Sequence, residues 1–152
     1  MENKMPITSK LLVFLHLLLG IGAIFGGGVL VIDPSGELIK MPLTLLEHSP
    51  FESYLIPGLI LFIAIGVFPL LTAFALVKKP QIESANAINL FPDKHWSWAY
   101  SMYLGFALII WITIEAFFLK EMIHIHVGYI FLGLAIQAVT LLPSVQKYYL
   151  KG

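Results

Sequence analysis

The feature that most constrains this chain is a series of long apolar runs with almost no charge. The first run covers residues 11–32 and contains one histidine but no charged side chain. A helix needs about 20 predominantly apolar residues to cross the hydrocarbon core of a bilayer. A secretory leader has only about 7–15 such residues before a small-residue cleavage site. The run is therefore interpreted as an uncleaved spanning helix.

Three further apolar runs complete the prediction of an all-α, four-helix transmembrane bundle. They are predicted to span residues 50–77, 96–119 and 123–142. The 152-residue chain is 59% hydrophobic and 12% charged, whereas soluble domains have about 25% charged residues. Its mean hydropathy is +0.89. We therefore expect a single integral membrane domain, residues 1–152, with lipid around most of its surface.

The longest polar interruption lies between the first two runs and predicts an ordered loop over residues 33–49. The tetrapeptide at residues 33–36, Asp-Pro-Ser-Gly, is typical of a tight turn. Because residues 29–32 and 37–41 flank this turn, a short hairpin-like extension is expected. Residues 43–47 follow a proline and predict one helical turn.

The second spanning helix has a start signal and two proline breaks. Ser49, Pro50 and Glu52 suit the N-cap, first and third helical positions, a pattern that predicts a capping box opening this helix. Pro57 and Pro69 lie within the run. Proline lacks the amide hydrogen of a regular helix, so kinks are expected near both.

The lysines predict the orientation. All nine cations are lysine. Seven lie beside one set of helix ends and two beside the other, and lysine excess marks the cytoplasmic side. The first set is Lys4, Lys10, Lys78, Lys79, Lys94, Lys147 and Lys151, and the second is Lys40 and Lys120. We expect a multi-pass protein of the cytoplasmic (inner) membrane, N-in and C-in, with an inner loop at residues 78–95 and the loop at 33–49 outside.

Composition and motifs exclude several function classes. The net charge is zero, which argues against a nucleic-acid partner. The chain has no cysteine, so disulfide and thiol chemistry are absent. Histidine and carboxylate side chains occur near residues 121–126 and in the outer loop, but their spacing matches no metal motif. No metal and no cofactor are predicted. The outer-loop candidates for binding a ligand are Asp33, Glu47, His48 and Glu52.

A few polar groups fall inside the spanning runs and are the candidates for a ligand site or polar path. Antiparallel pairing of the last two helices would set Glu115 opposite His126. Counting at about 1.5 Å per residue puts His16 and Gln137 at a similar, deeper level, where they are expected to hydrogen-bond. A polar path through all four is the functional interpretation. The alternative is that these groups only hold the helices in register.

The first and fourth helices each carry a predicted buried face. At about 100° per residue, His16, Gly20, Ala23 and Gly27 share one side of the first helix. Gly22 and Gly26 form a small-xxx-small pair, which is explained by packing within the bundle or by dimerisation. The corresponding face of the fourth helix consists of His126, Ile130, Gly133, Gln137 and Ser144.

The outer loop resembles a pattern in a widespread group of small four-span bacterial integral membrane proteins without an assigned activity. The resemblance rests on DPSG at 33–36, MP at 41–42, LLE at 45–47, SPF at 49–51 and LIPG at 55–58. Trp111, Ile112 and Glu115 of the third run extend it. The resemblance implies the four-span architecture and no reaction.

Three functions remain open, with different partners. The preferred one is a non-enzymatic binding, accessory or assembly subunit that acts through its ordered outer loop on another membrane protein, a second copy or lipid. The second is a small transporter or channel component that uses Glu115 and His126. The third is a membrane-embedded lipid-modifying enzyme, which the shortage of paired acid, base and nucleophile candidates disfavours.

Overall fold

The computed structural model describes residues 4–152, and this part of the chain is helical without a β-strand. Residues 1–3, predicted to belong to the membrane domain, lie outside the described part. The helices are α1 Ile7–Ile32, α2 Leu55–Ile60, α3 Phe68–Lys78, α4 Glu83–Asn86, α5 Trp96–Leu119, α6 His124–Thr140 and α7 Pro143–Tyr148. A π-helical segment, Leu61–Val67, joins α2 to α3.

Three of these helices are long and apolar enough to cross a membrane: Ile7–Ile32, Leu55–Lys78 and Trp96–Leu119. The second consists of α2, the π-helical segment and α3. Its change of helix type lies just before Pro69, which cannot donate the regular hydrogen bond to the Ile65 carbonyl. The fourth apolar helix, α6, has 17 residues, because Pro143 begins the separate helix α7.

The helices pack as a ring in which each contacts the next. α1 contacts the second span on one side and α6 on the other, while α5 contacts α3 and α6. The predicted face of α1 is confirmed, since His16, Gly20, Ala23 and Gly27 are all buried. The outward surface is apolar, with Phe14, Phe25, Phe74, Phe106 and Phe131 all more than half exposed. Large exposed apolar side chains on every long helix suit lipid better than water.

Residues 33–54 fold into a compact layer over one end of the ring, which we call the cap. The predicted turn is present, because the Gly36 amide donates to the Asp33 carbonyl at 3.1 Å. The predicted helical turn is a 3-10 helix at Leu43–Leu46. Tyr54 holds the layer together: its amide donates to the Pro34 carbonyl and its hydroxyl to the Pro42 carbonyl, each at 2.9 Å.

Two predictions for this region are wrong. Residues 37–39 form a 3-10 helix and residues 29–32 complete α1, so no hairpin forms. The capping box is also absent, because the Ser49 hydroxyl accepts from the Phe51 amide at 3.2 Å and donates to the Leu46 carbonyl at 2.9 Å. The second helix therefore begins at Leu55 rather than Pro50. The first spanning helix, α1, begins at Ile7, four residues earlier than predicted.

The opposite end of the ring gathers both terminal regions and the connection between α3 and α5. The Tyr149 carbonyl accepts from the His95 amide at 2.8 Å, and the Asp93 carbonyl accepts from the Lys151 amide at 2.9 Å. The Thr8 and Ser144 hydroxyls lie 2.8 Å apart. This arrangement puts the seven-lysine set at one end and the pair Lys40 and Lys120 at the cap end.

Candidate functional site

A cavity of about 280 Å³ lies inside the ring beneath the cap. α1, the π-helical segment, α5 and α6 form its walls, and cap residues Met41 and Leu45 contribute to its roof. Its mouth is marked by Ile39, Ile123 and Ile125, which line it and are each more than a third exposed. The volume is close to the lower end of the range of about 300–1,000 Å³ for small-molecule pockets.

The walls are mainly apolar, with the polar groups concentrated near the cap. The titratable side chains that line the cavity are Glu115, Glu121, His126 and Tyr129, and none of its described lining residues is a lysine. Glu115 comes from the last turns of α5, and Glu121 from the turn between α5 and α6. The structure thus brings Glu115 and His126 to one cavity, as the antiparallel pairing of their helices predicts.

Glu115 has no direct neutralising partner. Within residues 4–152 its carboxylate forms neither a hydrogen bond nor an ion pair. It also lines a second, smaller space of about 30 Å³ together with Tyr54 and Trp111. The indole nitrogen of Trp111 is buried and has no hydrogen-bond partner in the described part of the chain. Burial raises the pKa of Tyr54, and the nearby charge of Glu115 raises it further.

His126 is held in a defined orientation at the start of α6. Its Nδ1 accepts a hydrogen bond from the Ile123 amide at 3.3 Å, so the neutral ring carries its proton on Nε2. The side chain is 5% exposed. Tyr129 lies one helical turn further along, and its hydroxyl would be 3.2 Å from a β-carbon added at Gly22. Gly22 and Gly26 both line the cavity, so this pair of glycines faces the interior of the ring.

The predicted hydrogen bond between His16 and Gln137 is wrong. His16 Nε2 lies 2.7 Å from the Ser101 hydroxyl on α5. Ser101 lies 2.9 Å from the Thr140 hydroxyl, which donates to the Ile136 carbonyl at 2.6 Å. The side-chain nitrogen of Gln137 is buried without a partner among the described residues. Ser101 was missed because a lone serine in an apolar helix carries no pattern of its own.

An apolar layer separates this deeper chain of hydrogen bonds from the cavity. Leu108 lies on α5 midway between Ser101 and Glu115, about 10 Å along the helix from each. The layer also contains Ala23, Ile65 and Ile112, and all four side chains are at most 4% exposed. The structure therefore brings Glu115 and His126 together and leaves His16 and Gln137 outside their site.

The predicted face of α6 is only partly present. His126 and Gly133 are buried. Ser144 is exposed and belongs to α7, because the chain changes direction at Pro143. The face is completed instead by Ile136 and Thr140.

The four outer-loop candidates do not form a site together. Asp33 stabilises the cap locally, because its carboxylate accepts from the Ser35 hydroxyl at 2.5 Å and from the Leu38 amide at 2.8 Å. The bond from Ser35, and next that from Leu38, lower the Asp33 pKa. Glu47, His48 and Glu52 are exposed. Across residues 4–152, no cluster of three or more His, Asp or Glu side chains is arranged to hold a metal ion.

Comparisons of this chain with protein-family models, with curated proteins and with solved structures found no match. The resemblance of the cap sequence to the small four-span bacterial group stays a prediction.

Proposed function

We propose that this protein is a non-enzymatic binding protein of the cytoplasmic membrane that holds a small, mainly apolar ligand in the cavity beneath the cap. It spans the bilayer four times, with both termini in the cytoplasm and the cap outside. The observation that carries the proposal is the 280 Å³ cavity lined by Glu115, a carboxylate without an ion pair within residues 4–152. An apolar pocket with a few polar groups at one side is the usual form of a small-molecule site.

The membrane arrangement is supported by the charge at the two ends of the ring. The end with both terminal regions carries seven lysines, and the cap end carries two. Such an asymmetry is typical of cytoplasmic and external sides respectively. α6 is shorter than the other three helices, but its 17 residues extend about 26 Å. Together with Leu141 and Leu142, this length covers most of a hydrocarbon core of about 30 Å.

The apolar layer below the cavity favours binding over passage. A route for protons or ions needs polar groups or water at successive depths. Ile65 and Leu108, at 1% and 0% exposure, fill the ring between the cavity and the His16 level. Glu115 and His126 are therefore proposed to contact the ligand, whereas the hydrogen bonds from His16 through Ser101 to Thr140 connect helices.

Filling the cavity tests this proposal. Gly26 lines it, and a β-carbon there would be 3.6 Å from Leu61. Gly26→Leu should therefore occupy ligand space without meeting backbone. Gly28→Leu is the matched control, because Gly28 lies on the same helix away from the cavity, and its added β-carbon would be 3.7 Å from the Phe62 ring.

The measurement is mass spectrometry of small molecules that co-purify with each variant from its native host. A species recovered with the wild type and with Gly28→Leu, but depleted from Gly26→Leu, is the expected result. Equal recovery from all three proteins would show that the cavity is not the binding site.

A further inference from the structure

The lining of the cavity is acidic, and His126 is the one described lining residue that could become cationic. The described lining includes the carboxylates Glu115 and Glu121 and contains no lysine. Lys120 lies between them in sequence, yet it is exposed at a turn with φ of +50°. Within residues 4–152 it forms no ion pair with either neighbour. A ligand in the cavity thus meets two carboxylates that no lysine among the described residues neutralises.

The position of Glu115 on its helix adds to this field. α5 ends at Leu119, so Glu115 lies near the carboxyl-terminal end, where the helix dipole contributes further partial negative charge. An ionised carboxylate removed from water is strongly unfavourable without a paired cation. A cation bound beside Glu115 relieves that penalty, whereas an anion increases it.

The side of the cavity away from the cap suits the apolar part of a ligand. Ala23, Ile65 and Leu108 line it on the side away from the cap. These side chains offer no hydrogen-bonding group to a ligand, so the apolar part of a molecule suits this side and its charged group suits the Glu115 side.

We propose that the ligand is a small amphiphilic amine, with one ammonium group at Glu115 and a short hydrocarbon body against Ile65 and Leu108. This assignment rests on the proposed binding function and specifies its ligand class. A zwitterionic phospholipid headgroup fits less well, because its phosphate would enter a site with two carboxylates and no lysine. The mouth at Ile39 and Ile123 gives access from the level of the cap.

The test compares three probes of equal chain length: hexylammonium, hexan-1-ol and hexanoate. Each is titrated calorimetrically into the protein in phosphatidylcholine nanodiscs, with empty nanodiscs subtracted. Hexylammonium should bind about tenfold or more tightly than hexanol, because an ionic hydrogen bond is added. Hexanoate should bind most weakly.

Glu115→Gln removes the charge and keeps the shape. It should weaken hexylammonium binding about tenfold or more while hexanol binding is retained, which also shows that the variant is folded. Glu37→Gln, a carboxyl change at an exposed cap residue outside the cavity, should leave all three titrations unchanged.

The outcomes separate this inference from the function on which it rests. If hexanol or hexanoate binds as well as hexylammonium, and Gly26→Leu abolishes that binding, the cavity binds ligands but the ammonium assignment is overturned. Failure of hexylammonium to bind also overturns it. Loss of hexylammonium binding when phosphatidylethanolamine replaces phosphatidylcholine would identify a lipid headgroup as the source of the amine and overturn the free-amine assignment.

Discussion

Ser101 is a single small polar residue at the centre of a chain of hydrogen bonds inside the apolar ring. Its hydroxyl lies between His16 on α1 and Thr140 on α6, at 2.7 and 2.9 Å. It therefore connects three helices that the hydrophobic effect does not hold together in lipid. The buried His16 ring depends on this contact, since its other nitrogen has no partner among the described residues.

Ser101→Ala should destabilise the fold by about 1–2 kcal/mol, because it leaves His16 Nε2 buried without a partner. Ser84→Ala is the control, since Ser84 is exposed on α4, and it should change stability by less than about 0.5 kcal/mol. Equilibrium unfolding of detergent-solubilised protein measures both. Equal stability of the two variants would mean that the His16 contact contributes nothing measurable.

At the scale of elements, α1 and the second span approach so closely that some positions exclude any side chain. A β-carbon on Gly27 would lie 2.5 Å from the Phe62 amide nitrogen and 2.8 Å from the Gly58 carbonyl oxygen. These are backbone atoms, which cannot move aside without displacing α2 or the π-helical segment. A β-carbon on Gly28, the next residue of the same helix, would contact only the Phe62 ring.

Gly27→Ala should therefore destabilise the protein by about 1–3 kcal/mol through overpacking. Gly28→Ala should be neutral or stabilising, because alanine favours a helix over glycine by up to about 1 kcal/mol. Thermal unfolding in the same detergent distinguishes them. A Gly27→Ala protein as stable as Gly28→Ala would contradict the close approach of the two elements.

Two of the α-helices end on lysines in left-handed conformation, a geometry that glycine usually provides. Lys120 ends α5 with φ of +50° and is exposed. Lys79 ends α3 with φ of +48°, and its ammonium group donates to the Tyr148 carbonyl at 2.8 Å while lying 3.4 Å from the centre of that ring. The tyrosine contacts explain why lysine is useful at the second position despite its backbone conformation.

Lys120→Gly should stabilise the fold by about 1 kcal/mol, since it relieves the left-handed strain and removes no side-chain contact. Lys79→Gly should give no such gain, because the lost cation–π contact of about 0.5–1 kcal/mol offsets the relief. Chemical unfolding of both variants tests the difference. Similar stabilisation by the two substitutions would show that the contact between Lys79 and Tyr148 contributes no measurable stability.

At the scale of the whole molecule, the two ends of the ring differ in construction and charge. The cap end is closed by local turns and by Tyr54, whereas the other end is closed by contacts between distant parts of the chain. These include the backbone bond from His95 to Tyr149. Both terminal regions therefore lie at the same end of the ring.

Because the chain has no cysteine, single introduced cysteines report this arrangement without background. Thr44→Cys in the cap and Ser84→Cys in α4 are both exposed positions. In intact cells a membrane-impermeant maleimide should label Thr44→Cys, and it should label Ser84→Cys only after permeabilisation. The reverse pattern would invert the proposed orientation, and labelling of both in intact cells would contradict the single membrane crossing proposed between residues 44 and 84.

The sequence by itself determined the helical class, the third helix at residues 96–119, the buried face of α1 and the turn at Asp33. Each follows from local properties: apolar run length, helical periodicity or proline and glycine turn chemistry. It also predicted that Glu115 and His126 would lie opposite each other, and both line the cavity. A short turn between two long helices makes the helices pack antiparallel.

Only the tertiary structure decided where the second helix begins, which partner His16 binds and whether the polar groups form one path. Ser49 could either cap the second helix or form hydrogen bonds within the cap. The contacts of Tyr54 with Pro34 and Pro42 hold the cap in a form that favours the second alternative. Counting residues along the helices predicted the depth of His16 in the membrane but not which side chain faces it. The orientation of α5 about its axis sets Ser101 beside His16. The cavity arises from the spacing of four helices and the cap, a distance that no single segment of sequence encodes.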